Sequence, residues 1–195
     1  MTLFVSNACS DCANDNSANL ENSSQTVIDN IMTRTSVRSF TPEAVSNDTI
    51  EVLLKAGMAA PSAMNAQPWD FIVVTDRGML DTLNVIHPYA HLEGAPLAIV
   101  VCGNMAKAID GPAQEFWVQD CSAASENILL AAHALGLGAV WCGVYPSEER
   151  VAPVSQALDL PEYIVPLNII TIGHPAEQPQ PKDKWKAENV HYQKW

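Results

Sequence analysis

Apolar residues recur along this chain in two rhythms. Val27, Ile28, Ile31 and Met32 fall at helical spacing and predict a short helix from about Thr26 to Thr33. Thr41-Pro42 reads as a turn, and Ser46 as the N-cap of a helix through Ile50, Val52, Leu53 and Leu54 that ends near Gly57. Arg77 to Ile86 and Pro112 to Leu135 have helical patterns, the second rich in Ala and Ser on one side. Small side chains there permit close helix packing, in a core or at a dimer seam. Ser147 is expected to cap a further helix through Leu158. Between these lie short continuous apolar runs of strand length: Phe71–Val74, Leu97–Cys102, a strand opening at Ala139–Cys142, and Ile164–Ile172, interrupted by Pro166. Ala60 to Pro68, bounded by two prolines, reads as a loop or broken helix. Helices surrounding a small sheet of such strands make an α+β or α/β sandwich.

The two ends break the rhythm. Residues 1–25 are rich in Ser and Asn, carry no Lys or Arg, and are expected to form a disordered tail. Cys9-x-x-Cys12 in that tail fits a redox pair, half a metal site, a lipid-modified cysteine behind a processed leader, or coincidence. No second Cys/His pair stands nearby to complete a zinc site. Leu3-Phe4-Val5 is too short, and has no basic flank, for a secretory leader. The expected location is cytoplasmic, with envelope attachment through a processed N-terminus left open. From Gly173 the chain is polar and Pro-rich, yet Trp185, Tyr192 and Trp195 are too apolar for a free tail. That segment is expected to lie along another surface, of this chain or of a partner subunit.

Composition sharpens this picture. With 195 residues and 48% hydrophobic positions, the chain can bury one sizeable core. Ten basic residues against 22 acidic ones give a net charge of -12. Such a chain repels nucleic-acid phosphates and anionic membrane surfaces, and no apolar run reaches transmembrane length. Cys102, Cys121 and Cys142 lie in apolar or Ala-rich surroundings and read as reduced core fillers. With so few cations, any cluster of them asks for a reason. Arg34, Ser36 and Arg38 are spaced by two, so an extended segment puts them on one side. Two guanidinium groups flanking a hydroxyl suit a phosphate or another anion. Lys182 and Lys184 form a second basic run that could converge on the same anion.

Other chemistries lack their patterns. There is no P-loop, no Gly-x-Gly-x-x-Gly turn and no Gly-x-Ser-x-Gly elbow. Gly136-Leu137-Gly138 reads as a helix C-cap before a strand. The five histidines are scattered, and His87-x-x-x-His91, broken by Pro88, reads as a surface turn.

Four ordered segments resemble one family. Arg34-Thr35-Ser36-Val37-Arg38-Ser39-Phe40 is similar to the Arg-x-Ser-x-Arg/Lys-x-Phe opening of the FMN-dependent nitroreductases. Ala60 to Trp69 resembles their Ala-Pro-Ser-x-x-Asn-x-Gln-Pro-Trp loop. Gly136 to Gly143 resembles their Gly-Leu-Gly-x-x-Trp-x-Gly segment, and Ile172 to Glu177 with Lys182-Asp183-Lys184 resembles their closing motif. The resemblance runs in order over residues 26–195.

It implies a three-layer α+β sandwich with a small, mostly antiparallel sheet. It also implies an intertwined homodimer holding FMN at the subunit interface, with residues from about 174 onward packing on the partner. Arg34 and Ser36, with Thr35 between them in the cofactor-binding set, would hold the FMN phosphate. Lys182 and Lys184 would approach it, Lys184 standing where many relatives carry arginine. Arg38 would sit by the pyrimidine edge of the ring, and Pro61, Ser62 and Asn65 would line the ring across the interface. Gly143 would bring a backbone N–H to flavin N5. The implied reaction is ping-pong: NADH or NADPH delivers hydride to N5, and a nitroaromatic, quinone or similar small acceptor takes the electrons. No catalytic side chain and no metal are expected. The alternatives are a non-enzymatic flavin-binding or redox-sensing protein, and a specialised flavin-fragmenting or dehalogenating branch of the same fold.

Overall fold

The structure, a computed structural model, describes residues 24–177 and 179–195. Cys9, Cys12 and the expected tail up to residue 23 lie outside the described residues. The chain divides into two compact units between Thr33 and Arg34. In the first unit a helix, α1, runs over 24–33, starting ahead of the expected Thr26. Its apolar residues Val27, Ile28, Ile31 and Met32 are all exposed in the single chain.

The second unit is a sheet between two helical layers. Helix α2 spans Asn47–Met58, and Ser46 caps it as expected, its Oγ accepting from Thr49 N–H at 3.2 Å. Strand β1 is Trp69–Val74 and helix α3 is Arg77–Ile86, opened by the Asp76 carboxylate on Met79 N–H at 2.9 Å. Strand β2 is Leu97–Asn104. The long helix expected from Pro112 is split. A 3-10 turn covers Gly111–Glu115, and helix α4 proper spans Phe116–Ala134. Then come β3 at Gly138–Gly143, α5 at Glu148–Ala157 and β4 at Ile164–Gly173. Ser147 does sit at the N-cap of α5, but its side chain makes no capping hydrogen bond. The first-turn acids Glu148 and Glu149 face the helix dipole there instead.

The strand order is β1-β2-β4-β3, and every pairing is antiparallel. The α+β reading is therefore the right one of the two the apolar runs left open. β2 and β4 are central, and β2 is buried throughout. On one face, α2 and α4 bury Leu53, Trp117, Cys121, Ala124 and Ile128 against Ile99, Val101, Ile170 and Ile172. On the other, α3 and α5 bury Leu80, Leu83 and Val154 against Val100, Val140 and Ile169.

Pro166 does not interrupt β4. The register shifts between Val101 and Cys102, so that Asn168 faces Val101 and Pro166 faces Cys102, leaving Leu167 as an extra residue. A bulge is where a sheet tolerates a residue without an N–H. It also swaps parity: Val165 and Leu167 share the α4 face with Ile170 and Ile172. The carbonyl of Leu167 is not wasted, because Val144 and Tyr145 N–H both donate to it at 3.0 Å.

Cys102, Cys121 and Cys142 are free and buried, as expected for core fillers. Burial pushes the Cys102 thiol up to about 12, with the Asp70 charge adding to it. Burial likewise raises Cys142 to about 11, against smaller opposite pulls from Thr171 and Arg38. The C-terminal segment 180–195 is exposed along its whole length, with Trp185 at 73% and Tyr192 at 81%. Residues 174–176 pair with the segment around Phe40, and the exposed stretch that follows buries none of its aromatic side chains in the single chain.

Candidate functional site

The segment carrying Arg34, Ser36 and Arg38 is laid on the free edge of β3. Ser36 bridges Ala139 in parallel, and Val37 N–H donates to the Ala139 carbonyl at 3.1 Å. Further on, Phe40 bridges Pro175 antiparallel, and Thr41 N–H donates to the His174 carbonyl at 2.9 Å. Val37 and Phe40 are buried, and these two side chains anchor the segment to the core. What lets it lie so close is Gly138: a Cβ there would stand 2.7 Å from Val37 Cγ1. Gly138 is thus a packing requirement of the arginine segment rather than part of a helix cap. Gly136, with φ +74°, is the residue that ends α4.

The two arginines do different things. Arg34 points at α4, its side chain only 17% exposed, with Nε 3.5 Å from Glu126 Oε1. Burial lowers the pKa of His133 on the same helix, and the Arg34 charge adds to that. Arg38 is exposed and makes no ion pair among the described residues. Its charge is felt at His91, where burial is the larger cause of a lowered pKa, and at Cys142, the residue before Gly143. Other cations of the unit are tied up at closer range. Lys55 pairs with Glu51 at 2.5 Å, Arg77 with Asp81 at 2.8 Å, and Lys107 with Asp70 at 2.6 Å. At the β3 edge, Arg34, with Glu126 at 3.5 Å, and the exposed Arg38 are the cations not held in a closer ion pair.

The end of β3 holds residues that no sequence pattern marked. His87 is not on a surface turn. It is 2% exposed, and its Nε2 lies 3.0 Å from the Gly143 carbonyl. Arg150 Nη1 donates to the same carbonyl at 3.0 Å. On the side-chain side of Gly143 there is room, since a Cβ would meet nothing within 4 Å. Burial lowers the His87 pKa below its ordinary 6.5; the Gly143 hydrogen bond opposes this and the Arg150 and His91 charges add to it. The unfolded chain therefore takes up this proton first as pH falls. Stability is fully present above pH 6.5 and is lost as pH drops through that value toward the folded pKa. His91 and His133 act with the same sign. Chemical denaturation is expected to show a lower midpoint at about pH 5.5 than at about pH 7.5, and His87→Gln to remove part of that difference. An unchanged difference in the variant would count against a buried neutral His87.

The 60–68 segment is a strained loop, with a 3-10 turn at Ala63–Asn65. Met64, Asn65 and Gln67 all have positive φ, at 51°, 55° and 49°. Three such non-glycine residues in so short a stretch persist only where surroundings enforce them. Ala63 N–H donates to Asp120 Oδ1 on α4 at 2.9 Å, and Gln67 N–H donates to Ser62 Oγ at 2.9 Å. Pro61 and Asn65 are exposed, while Ser62 is half-buried. This loop meets α4 at Asp120, whereas Arg34 meets it at Glu126 and His133, roughly 9 to 20 Å further along. Within one chain, then, Arg34, Thr35, Ser36, Arg38 and Gly143 share the β3 edge, and Pro61, Ser62 and Asn65 stand apart. Lys182 and Lys184 are exposed, and no hydrogen bond or ion pair among the described residues joins them to Arg34 or Ser36.

The residues present fit a flavin mononucleotide. A phosphate has Arg34 and the half-buried Ser36, and a ring has an exposed cation at Arg38 and an open approach at Gly143. Comparison with known proteins points the same way. The sequence model of the nitroreductase family matches residues 31–87 and 87–174. A Methanothermobacter thermautotrophicus protein, provisionally named NADH dehydrogenase/NAD(P)H nitroreductase, is 46% identical over 87% of this chain and 87% of its own. FMN reductase [NAD(P)H] of Bacillus subtilis is 27% identical, over 86% of this chain and 73% of its own. Among solved structures, a provisionally named nitroreductase of Desulfovibrio desulfuricans in complex with FMN superposes with a TM-score of 0.74. It is 32% identical and covers 87% of this chain and 97% of its own.

Proposed function

The chain belongs to the nitroreductase family, and on that premise we propose that it is an NAD(P)H-dependent FMN oxidoreductase acting on a nitroaromatic, quinone or similar small acceptor. The observation that carries this is the β3 edge, where Arg34, 3.5 Å from Glu126, and the exposed Arg38 flank Ser36 and lead to the open backbone at Gly143. FMN, when bound, supplies the redox chemistry, taking hydride from the nicotinamide and passing two electrons on. Arg34 and Ser36 hold the phosphate. Arg38 puts positive charge where the reduced ring is negative. Lys182 and Lys184 join the phosphate site when the C-terminal segment lies along the partner subunit.

The active form is a homodimer. Support comes from the largely exposed Trp185 and Tyr192, and from the separation of Pro61, Ser62 and Asn65 from the arginines in one chain. No helix among the described residues is long and apolar enough to cross a membrane.

Purified protein is expected to be yellow and to bleach anaerobically with NADH or NADPH. A colourless protein that takes up no added FMN overturns the reading. A yellow protein that neither nicotinamide reduces makes it a flavin binder without this activity. The two arginines separate further. Arg34→Ala is expected to weaken FMN binding about tenfold or more, the loss of one charge-assisted phosphate contact. Arg38→Ala is expected to lower the flavin reduction potential more than it weakens binding. Affinity and potential measured on the same two preparations check the division, and a reversed pattern defeats it.

A further inference from the structure

Gly143 is oriented by its carbonyl rather than by packing. Val144 N–H donates to Leu167 of β4 at 3.0 Å, so the alternate residue, Gly143, turns its N–H and C=O to the free edge of β3. Val37 uses the same edge at Ala139, one more residue of that parity. A glycine with empty space on its side-chain side has nothing of its own to fix its angles. Beyond the pairing that sets it opposite Asn168 of β4, two donors hold its carbonyl. His87 comes from the C-terminal cap of α3 and Arg150 from the first turn of α5, each 3.0 Å from the one carbonyl oxygen.

We propose that His87 and Arg150 are positioning residues that clamp the Gly143 carbonyl, so that the Gly143 N–H on the same edge is held toward the flavin. The inference rests on the oxidoreductase reading given above. A carbonyl oxygen can only accept, so His87 carries its proton on Nε2. Arg150 fills the second lone pair and also brings a guanidinium to the Gly143 end of the site. Neither residue touches the cofactor. They act through the Gly143 backbone, from its carbonyl to the N–H of the adjoining peptide group, and an error there of even an ångström is enough to slow transfer.

The first arm of the test needs no cofactor. Ring nitrogen NMR of the apoprotein is expected to show His87 as the Nε2–H form. The Val144 amide nitrogen, in the same peptide unit as the clamped carbonyl, is expected to shift in His87→Leu and in Arg150→Met. The second arm uses the FMN-loaded protein. Both variants are expected to keep the FMN Kd within about threefold and to be reduced by NADH or NADPH about tenfold more slowly or worse. His87→Gln, which keeps a donor at similar reach, should recover most of the rate.

An Nδ1–H ring, or wild-type reduction rates in both variants, overturns the proposal. So does a weakening of FMN binding that accounts for the whole loss, since that assigns the pair a merely structural role. If the wild-type protein takes up no FMN, the oxidoreductase reading is what fails, and the tautomer and the Val144 shift judge the clamp alone.

Discussion

Gly138→Ala is expected to give a protein that folds but binds FMN about tenfold or more weakly and melts about 4 to 8 °C lower. The new Cβ would stand 2.7 Å from Val37 Cγ1, 2.8 Å from Val37 Cβ and 3.0 Å from Val37 Cγ2. A long flexible side chain could swing aside, but Val37 Cβ is fixed to its own backbone. The segment must back away from β3 as a unit. That stretches the 3.1 Å bond from Val37 N–H to Ala139 and lifts Arg34 and Ser36 off the edge. Overpacking of this kind costs about 2 kcal/mol. Flavin titration and thermal melting check the two halves. Wild-type affinity in the variant would show that the phosphate site does not depend on this contact.

Asp120→Ala is the second large effect, and it acts on the other part of the proposed site. Asp120 is 7% exposed and accepts the Ala63 N–H at 2.9 Å. Its removal leaves that N–H without a partner beside a loop whose Met64, Asn65 and Gln67 are already strained. An unsatisfied buried donor costs about 1 to 3 kcal/mol, and each strained residue relaxes with about 1 kcal/mol or more to gain. The loop is expected to abandon its conformation rather than pay both. Limited proteolysis should then cut within residues 62–67, and FMN affinity should fall about tenfold or more. Asp120→Asn keeps an oxygen in place and should behave nearly as the wild type. If Asp120→Ala leaves the loop as resistant as before, the strain is enforced elsewhere.

The sequence was most legible where a local rule decides the outcome. Ser46 before an amphipathic run caps α2, and Arg77–Ile86 is helical as its pattern indicates. Pro166 misled because a proline rule speaks of one strand alone. Whether the strand stops or bulges depends on β2, which keeps pairing on both sides of the irregularity. The unbroken apolar stretch Val165-Pro166-Leu167 carries no alternation that could reveal the swap of faces. His87 and Arg150 were illegible for a related reason. One stands beside a proline in an apparent turn, the other after two glutamates on an apparent surface helix. Only the tertiary fold sets both on the Gly143 carbonyl. The arginine spacing placed two guanidinium groups on one side of an extended segment, but gave no sign of the divergence of Arg34 toward α4 and Arg38 toward Cys142.

The bridges from Ser36 to Ala139 and from Phe40 to Pro175 join early residues to late ones. A ribosome releases the arginine limb long before it has made the strand that receives it. Contacts so distant in the chain also close slowly. For most of synthesis the limb is an unframed pair of charges, and its frame is complete only when β3 and the end of β4 have emerged. On the flavin-site reading proposed above, cofactor loading waits for a nearly complete polypeptide.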